Sequence, residues 1–365
     1  MRRIRRGAAA GALLLGAVLL LGACASVPPP AERVINFGFE DVVTEGPKWP
    51  EALVKLREVR ATGVSLAAGR LDWSAVPRPE HPERESSRVA DSGEDYVRLA
   101  LDGLADTDGA APLGVTLTVD ALIPRWIARE PGLAGVQADG TASTSFASVS
   151  AWQHGPVGDA LVEFVAELSH AYRPEAIALT EFLFDRATFG DDDLESFRET
   201  SGRGDWPRLE SGRIDEGHPE LGHWRSRVLA EVAGRAREAA AAHGVRLEVD
   251  VRAPLGDPAG DRAESGHDYG VLLGAADRIV VWDYFALSGA GPGRSRELAE
   301  GLSSLGDGRV AQSIGLWGSE RTVSQAELGR ALAGAAAGGA DAVSVTPASL
   351  LTPEHWAEIE RAWAP

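Results

Sequence analysis

Short β-rich runs alternate with longer helical stretches eight times along this chain, and that repeat restricts the possible folds more than any other feature of the sequence. The runs fall at 34–39, 63–68, 114–120, 176–184, 245–251, 278–285, 310–316 and 342–346. The helical stretches between and after them fall at 50–60, 94–104, 157–172, 222–242, 269–275, 295–305, 324–337 and 353–363. A strand-helix repeat implies a parallel sheet covered by helices, because parallel neighbours need a crossover connection. Eight units in one chain of 365 residues favour closure of that sheet, so the expected fold class is α/β, a (β/α)8 TIM barrel over residues 34–365. Helix ends support the segmentation: Thr352-Pro353 opens the last helix, Gly244 follows the fourth, and Ser324 with Glu327 forms a capping box.

The N-terminus stands apart. Arg2, Arg3, Arg5 and Arg6 precede an apolar run that ends in Leu21-Gly22-Ala23-Cys24, the pattern of a signal peptide over 1–23 closing on a lipobox. The run is shorter than the roughly 20 apolar residues of a membrane span. Cys24 is the single cysteine, which leaves no intrachain disulfide or thiolate metal cluster and makes lipidation the expected role of its sulfur. Residues 24–33, with Val27-Pro28-Pro29-Pro30, read as a short stiff linker. The expectation is an exported protein, lipid-anchored to the outer face of a bacterial membrane. The net charge of −18 becomes −22 once the four arginines leave, which argues against nucleic acid as a partner and places no barrier before a neutral or cationic glycan.

In a barrel of this kind the loops after the strands surround the site, so polar residues at strand ends matter most. The fifth strand alternates Val245, Leu247, Val249 and Val251 with Arg246, Glu248, Asp250 and Arg252. Period-two alternation sends the apolar set to the helices and the charged set into the barrel, as a salt-bridge network or as part of a site. The fourth strand carries one carboxylate, Glu181, which either acts as general acid or nucleophile or pairs with Arg70 or Arg252. Asp283 stands at the end of the sixth strand and Asp120 at the end of the third. Glycoside hydrolysis needs two carboxylates flanking the scissile bond, and the catalytic set expected here is Glu181, Asp283 and Asp250.

Trp73, Trp126, Trp152, Trp206, Trp282, Tyr284 and Trp317 all lie in or after strands, where indole and phenol rings can stack on sugar C–H faces. Asp120, Arg70, Trp73, Trp152, Arg252, Trp282, Tyr284 and Trp317 are the expected substrate-binding residues. Segments 121–156 and 189–221 are long enough to be functional loops. Gly190-Asp191-Asp192-Asp193 reads as helix N-capping rather than a cation site. His154, His170, His218 and His223 have no metal-ligand spacing, and no serine-hydrolase elbow, phosphate loop or dinucleotide fingerprint is present. Neither cofactor nor metal is expected.

The stretch Ile177-Ala178-Leu179-Thr180-Glu181-Phe182-Leu183-Phe184-Asp185 is followed by Phe189-Gly190-Asp191-Asp192-Asp193-Leu194, Phe197-Arg198-Glu199-Thr200-Ser201-Gly202 and His223-Trp224-Arg225. These motifs resemble glycosyl-hydrolase-like barrels of bacterial lipoproteins and, more distantly, the hydrolase domain attached to poly-N-acetylglucosamine deacetylases. The resemblance is clearest over 176–254. It implies carbohydrate hydrolysis, with Glu181 near the group's strand-four acid. Many relatives carry paired aspartates there, whereas this chain has Thr180-Glu181-Phe182 and its next carboxylate at Asp185. Barrels with acids on strands four and seven fit less well, because 311–317 holds no carboxylate. Two other functions share these features: a glycan-binding barrel without turnover, and a solute-binding lipoprotein of a transporter, which needs two lobes and a central linker.

Overall fold

The computed structural model describes residues 27–43, 49–105, 109, 111–254, 264–306 and 308–365. The expected signal peptide and Cys24 lie outside the described residues. Eight parallel strands close into a barrel: β1 (Glu32–Phe37), β2 (Gly63–Arg70), β3 (Gly114–Asp120), β4 (Ala176–Thr180), β5 (Arg246–Arg252), β6 (Arg278–Asp283), β7 (Val310–Gly315) and β8 (Ala342–Thr346). Closure comes from β1, which pairs with β8 on one side and β2 on the other. The principal covering helices are α1 (Trp49–Glu58), α2 (Tyr96–Leu104), α3 (Pro156–Tyr172), α4 (Pro219–Ala241), α5 (Tyr269–Ala275), α6 (Arg294–Leu302), α7 (Gln325–Ala337) and α8 (Pro353–Ala362). The expected (β/α)8 barrel is therefore present, and every expected strand overlaps an observed one. No helix among the described residues is long and apolar enough to cross a membrane.

The alternation along each strand separates two environments. Ile35, Leu66, Leu117, Leu179, Val249, Val281, Ile314 and Val345, one from each strand, have no exposure and form the layer between sheet and helices, where burial of each aliphatic side chain contributes about 1.5–3 kcal/mol. The opposite parity fills the barrel lumen with polar groups, which must find partners there. At the N-terminal end the Arg278 guanidinium donates to both oxygens of Glu32 at 2.6 Å and to Glu248 at 3.4 Å. Burial pushes the Glu248 carboxyl up, opposed by Arg278 and Arg246. The charged face of β5 is thus a salt-bridge network at its lower end.

The two long connections carry structure of their own. Residues 121–156 hold a helix Pro124–Arg129, a hairpin of Ala134–Val136 with Ala142–Ala147, and a helix Val149–Gln153; the second connection holds a helix Asp191–Ser201. Asp193 ties the two together. It accepts from the backbone amides of Gly190 at 3.0 Å and Val149 at 2.8 Å, capping both helices, which gives the acidic run its N-capping role. Trp206 packs with Phe189, Phe197 and Trp224 at ring distances of 4.9–5.7 Å, and Trp126 is 6% exposed. These segments buttress the β3–β4 side instead of lining the barrel mouth, which corrects the expectation that they are functional loops.

Removing the Arg278 side chain takes away the closer of the two cations paired with the buried Glu248 and leaves Arg246 at 3.8 Å. Arg278→Ala is expected to lower unfolding stability by about 3–5 kcal/mol in urea titrations, and adding Glu248→Leu to recover much of that loss. An equal loss in both variants would show that Glu248 does not depend on the pairing.

Candidate active site

The C-terminal mouth of the barrel opens into a cleft of about 1150 Å³. Asp120, Glu181 and Asp250 enter it from the ends of three adjacent strands, β3, β4 and β5. The register explains two of them: Arg70 pairs with Asp120 and Asp120 with Thr180, all of lumen parity, and the Thr180 hydroxyl bonds Asp250 on the next strand. Glu181 follows Thr180, so continued alternation would send it to the helices. The strand ends at Thr180 instead, and Glu181 takes a left-handed φ of 52°, a conformation that costs a non-glycine residue free energy. That break in the strand is what lets Glu181 line the cleft.

Burial dominates the electrostatics. It raises the Asp120 carboxyl to about 7, with the Leu122 amide lowering it, Glu181 raising it and Arg70 lowering it in smaller steps. Asp250 is also raised to about 7 by burial, against hydrogen bonds from Trp282 and Thr180, with Glu248 and Glu181 raising it further. The Trp282 indole N–H donates to Asp250 Oδ2 at 3.2 Å. Glu181 is raised by burial, lowered by Arg252 and raised by Asp185. Arg252 lines the cleft but pairs with Asp185 at 3.0 Å. Three acids therefore share one site in which Arg252 is already partly committed, an arrangement that favours a retained proton on at least one carboxyl near neutrality.

Beside them stands an aromatic wall. Trp282 and Tyr284 stack with centroids 5.4 Å apart and planes 8° apart, and Trp317, 37% exposed, meets Tyr284 edge-on at 5.2 Å. Phe39, beyond β1, also lines the cleft and rests edge-on against Trp73 at 5.2 Å. Trp73 thus supports the wall from behind, and Phe39, at the end of the expected strand 34–39, supplies the surface.

Besides Trp73, three expected site residues turn their polar or aromatic groups away from the cleft. Asp283 borders the cleft with 1% exposure, but it keeps strand parity and its carboxylate turns toward α6, where Oδ2 accepts from Gln312 Nε2 at 2.8 Å and the same amide donates to the Ser295 carbonyl at 3.0 Å. Trp282 and Tyr284 face the cleft, so the residue between them cannot. Trp152 is 2% exposed and packs edge-on against Phe182, inside the core rather than in the cleft. Arg70 stands beside Asp120 but turns its guanidinium to the buried Asp72 at 3.3 Å.

The raised carboxyls fix a sign for stability. Asp120 and Asp250 hold their protons in the folded chain up to about pH 7 but lose them near 3.8 when unfolded, so the fold loses stability as pH rises from 4 through 7. Asp120→Asn and Asp250→Asn should therefore raise the melting temperature at pH 8 more than at pH 5. A gain of equal size at both pH values would mean that neither carboxyl is raised.

No family profile matches the sequence, and no curated protein sequence matches it. Solved structures do. The glycoside hydrolase domain of PgaB (BpsB) from Bordetella bronchiseptica aligns with a TM-score of 0.62 at 16% identity, over 87% of this chain and 94% of that one. The catalytic domain of the β-amylase from Paenibacillus polymyxa gives 0.63 at 11% identity, over 92% and 98%. The β-galactosidase of Rahnella sp. R3 gives 0.63 at 14% identity, over 87% of this chain and 50% of that one. The chain has the barrel fold that these glycoside hydrolases share.

Proposed function

We propose that this chain is a glycoside hydrolase acting on an envelope or extracellular polysaccharide, held at the outer face of a bacterial membrane through lipid on Cys24. The observation that carries the reading is the meeting of two sets of groups in one cleft: carboxyls from three adjacent strand ends, and aromatic rings from β6, β7 and the β1 loop, with Trp282 in contact with Asp250. A sugar ring stacked on the aromatic wall presents its glycosidic oxygen to the acids.

Glu181 is assigned as the general acid. Burial favours its protonated form, which it needs in order to give a proton to the leaving oxygen. Asp250 is the partner, as base toward water or as nucleophile: burial raises it to about 7, near the pH at which a general base works best, and the Trp282 indole N–H that donates to it stabilises the ion it becomes. Asp185 adds a neighbouring negative charge that helps to keep the proton on Glu181. Asp283 takes no part in the chemistry and acts through the packing of β6. The fold of the PgaB glycoside hydrolase domain and of the β-amylase catalytic domain supports a carbohydrate substrate.

The test is reducing-end release by the purified full chain from a panel of polysaccharides. Glu181→Gln and Asp250→Asn should each lose about 10²–10⁴-fold in turnover while still binding the glycan, with Asp283→Asn affecting thermal stability more than turnover. Binding without release by the wild type would make the cleft a glycan-binding module. Membrane fractionation tests the anchor separately: Cys24→Ser should move the chain to the soluble fraction, and retention of that variant in the membrane would refute lipid anchoring through Cys24.

A further inference from the structure

The proposed chemistry does not use the hydroxyl of Tyr284, which lines the cleft. Its ring is fastened rather than offered. Trp282 stacks on it with planes 8° apart, and Trp317 meets it edge-on. Across the sheet the register steps from Asp283 opposite Ile314 to Tyr284 opposite Gly315. A Cβ on Gly315 would lie 2.4 Å from Tyr284 Cδ1 and 2.9 Å from both Cγ and Cε1. Those two distances are too short for a position at the ring edge and fit one over the ring face above Cδ1. The ring thus lies flat on β7 at the one place where the strand has no side chain. Alanine there would collide with it, since real Cβ atoms do not approach within 3.0 Å.

So held, the hydroxyl hydrogen-bonds the Ser313 side chain on β7 and stands in the field of Asp250 and Glu181. The charged groups around it are those two acids, Glu248 below Asp250 on β5, and Arg252 above it. Burial and the two acids keep the phenol neutral far beyond its ordinary range, so it remains a donor whatever the carboxyls do. Hydroxyl groups both donate and accept. With Ser313 donating to the phenol oxygen, the phenol proton is free to reach a ligand.

We propose that Tyr284 is a further catalytic residue of this cleft, acting through its hydroxyl as a neutral hydrogen-bond donor to the bound glycan between Asp250 and Glu181, and that Gly315 is the positioning residue that places it there. The proposal rests on the hydrolase reading, and one arm of its test does not need turnover.

That arm is carbon NMR of the full chain with 13Cζ-labelled tyrosine. The chain has four tyrosines, and the resonance missing from Tyr284→Phe is Tyr284. Its shift should follow ionisation of the cleft acids around pH 7, and the response should vanish in Asp250→Asn and shrink in Gly315→Ala. A resonance blind to pH in that range overturns the proposal. The second arm is kinetics on the polysaccharide that the wild type cuts. Tyr284→Phe keeps every ring contact and should lower kcat by about tenfold or more, the size of a hydrogen bond to a charged group, with KM little changed. It decides the matter even if Gly315→Ala fails to fold. Full kcat in Tyr284→Phe overturns the proposal while leaving the hydrolase reading intact. A responsive resonance with no glycan cut by the wild type overturns it through the hydrolase reading instead.

Discussion

The period-two alternation of eight barrel strands is the constraint from which the rest follows. It sends aliphatic side chains to the helices and leaves the lumen to polar ones, and a lumen closed to solvent must pair what it holds. At the N-terminal end it does so with Arg278 between Glu32 and Glu248. At the C-terminal end the same alternation delivers Asp120 and Asp250 without a cation of their own, because Arg252 is shared with Asp185 and Arg70 with Asp72. The lower half of the lumen is a structural ion network, and the upper half is a set of acids whose charge is costly. Such a contrast within one lumen marks the end where chemistry is possible.

The site also depends on a place where the alternation fails. Glu181 reaches the cleft only because the backbone turns left-handed immediately after Thr180. The segment that follows has two more residues of this kind, Asp185 and Arg186, and Asp185 engages Arg252 across the cleft mouth. His267 braces the turn from below: its Nδ1 accepts from the Arg252 amide, so its Nε2–H donates to the Phe182 carbonyl at 3.1 Å. Strain at Glu181 is thus held by contacts of the segment after β4 with Arg252 of β5 and with His267, as expected where an unfavourable conformation serves a site.

Much of this was legible in the sequence, and the limits have physical causes. The eight strands were readable because buried parallel strands are short apolar runs set between amphipathic helices. The inward face of β5 was readable because its charged and apolar residues alternate without exception. Asp283 was misplaced because its position at a strand end was weighed and its parity was not: Trp282 and Tyr284 on either side already claimed the cleft face. Glu181 was placed in the cleft by the opposite accident, since strict parity would have excluded it and only the backbone turn admits it. Trp126, Trp152 and Trp206 could not be distinguished from wall residues, because a tryptophan after a strand packs equally well under a folded-back connection, and nothing local records that 121–156 and 189–221 cover each other. Phe39 and the Gly315 seat for Tyr284 depend on cross-barrel neighbours that a linear reading does not see.

The central claim is that Asp120, Glu181 and Asp250 form one coupled acid cluster, and carboxyl-carbon NMR of the full chain labelled in aspartate and glutamate tests it most directly. The account predicts two aspartate carboxyls titrating at about 7, both moving to lower pH in Glu181→Gln, since removal of a neighbouring negative charge favours ionisation. Two aspartates that titrate in the ordinary range, or that ignore the substitution at Glu181, would contradict it.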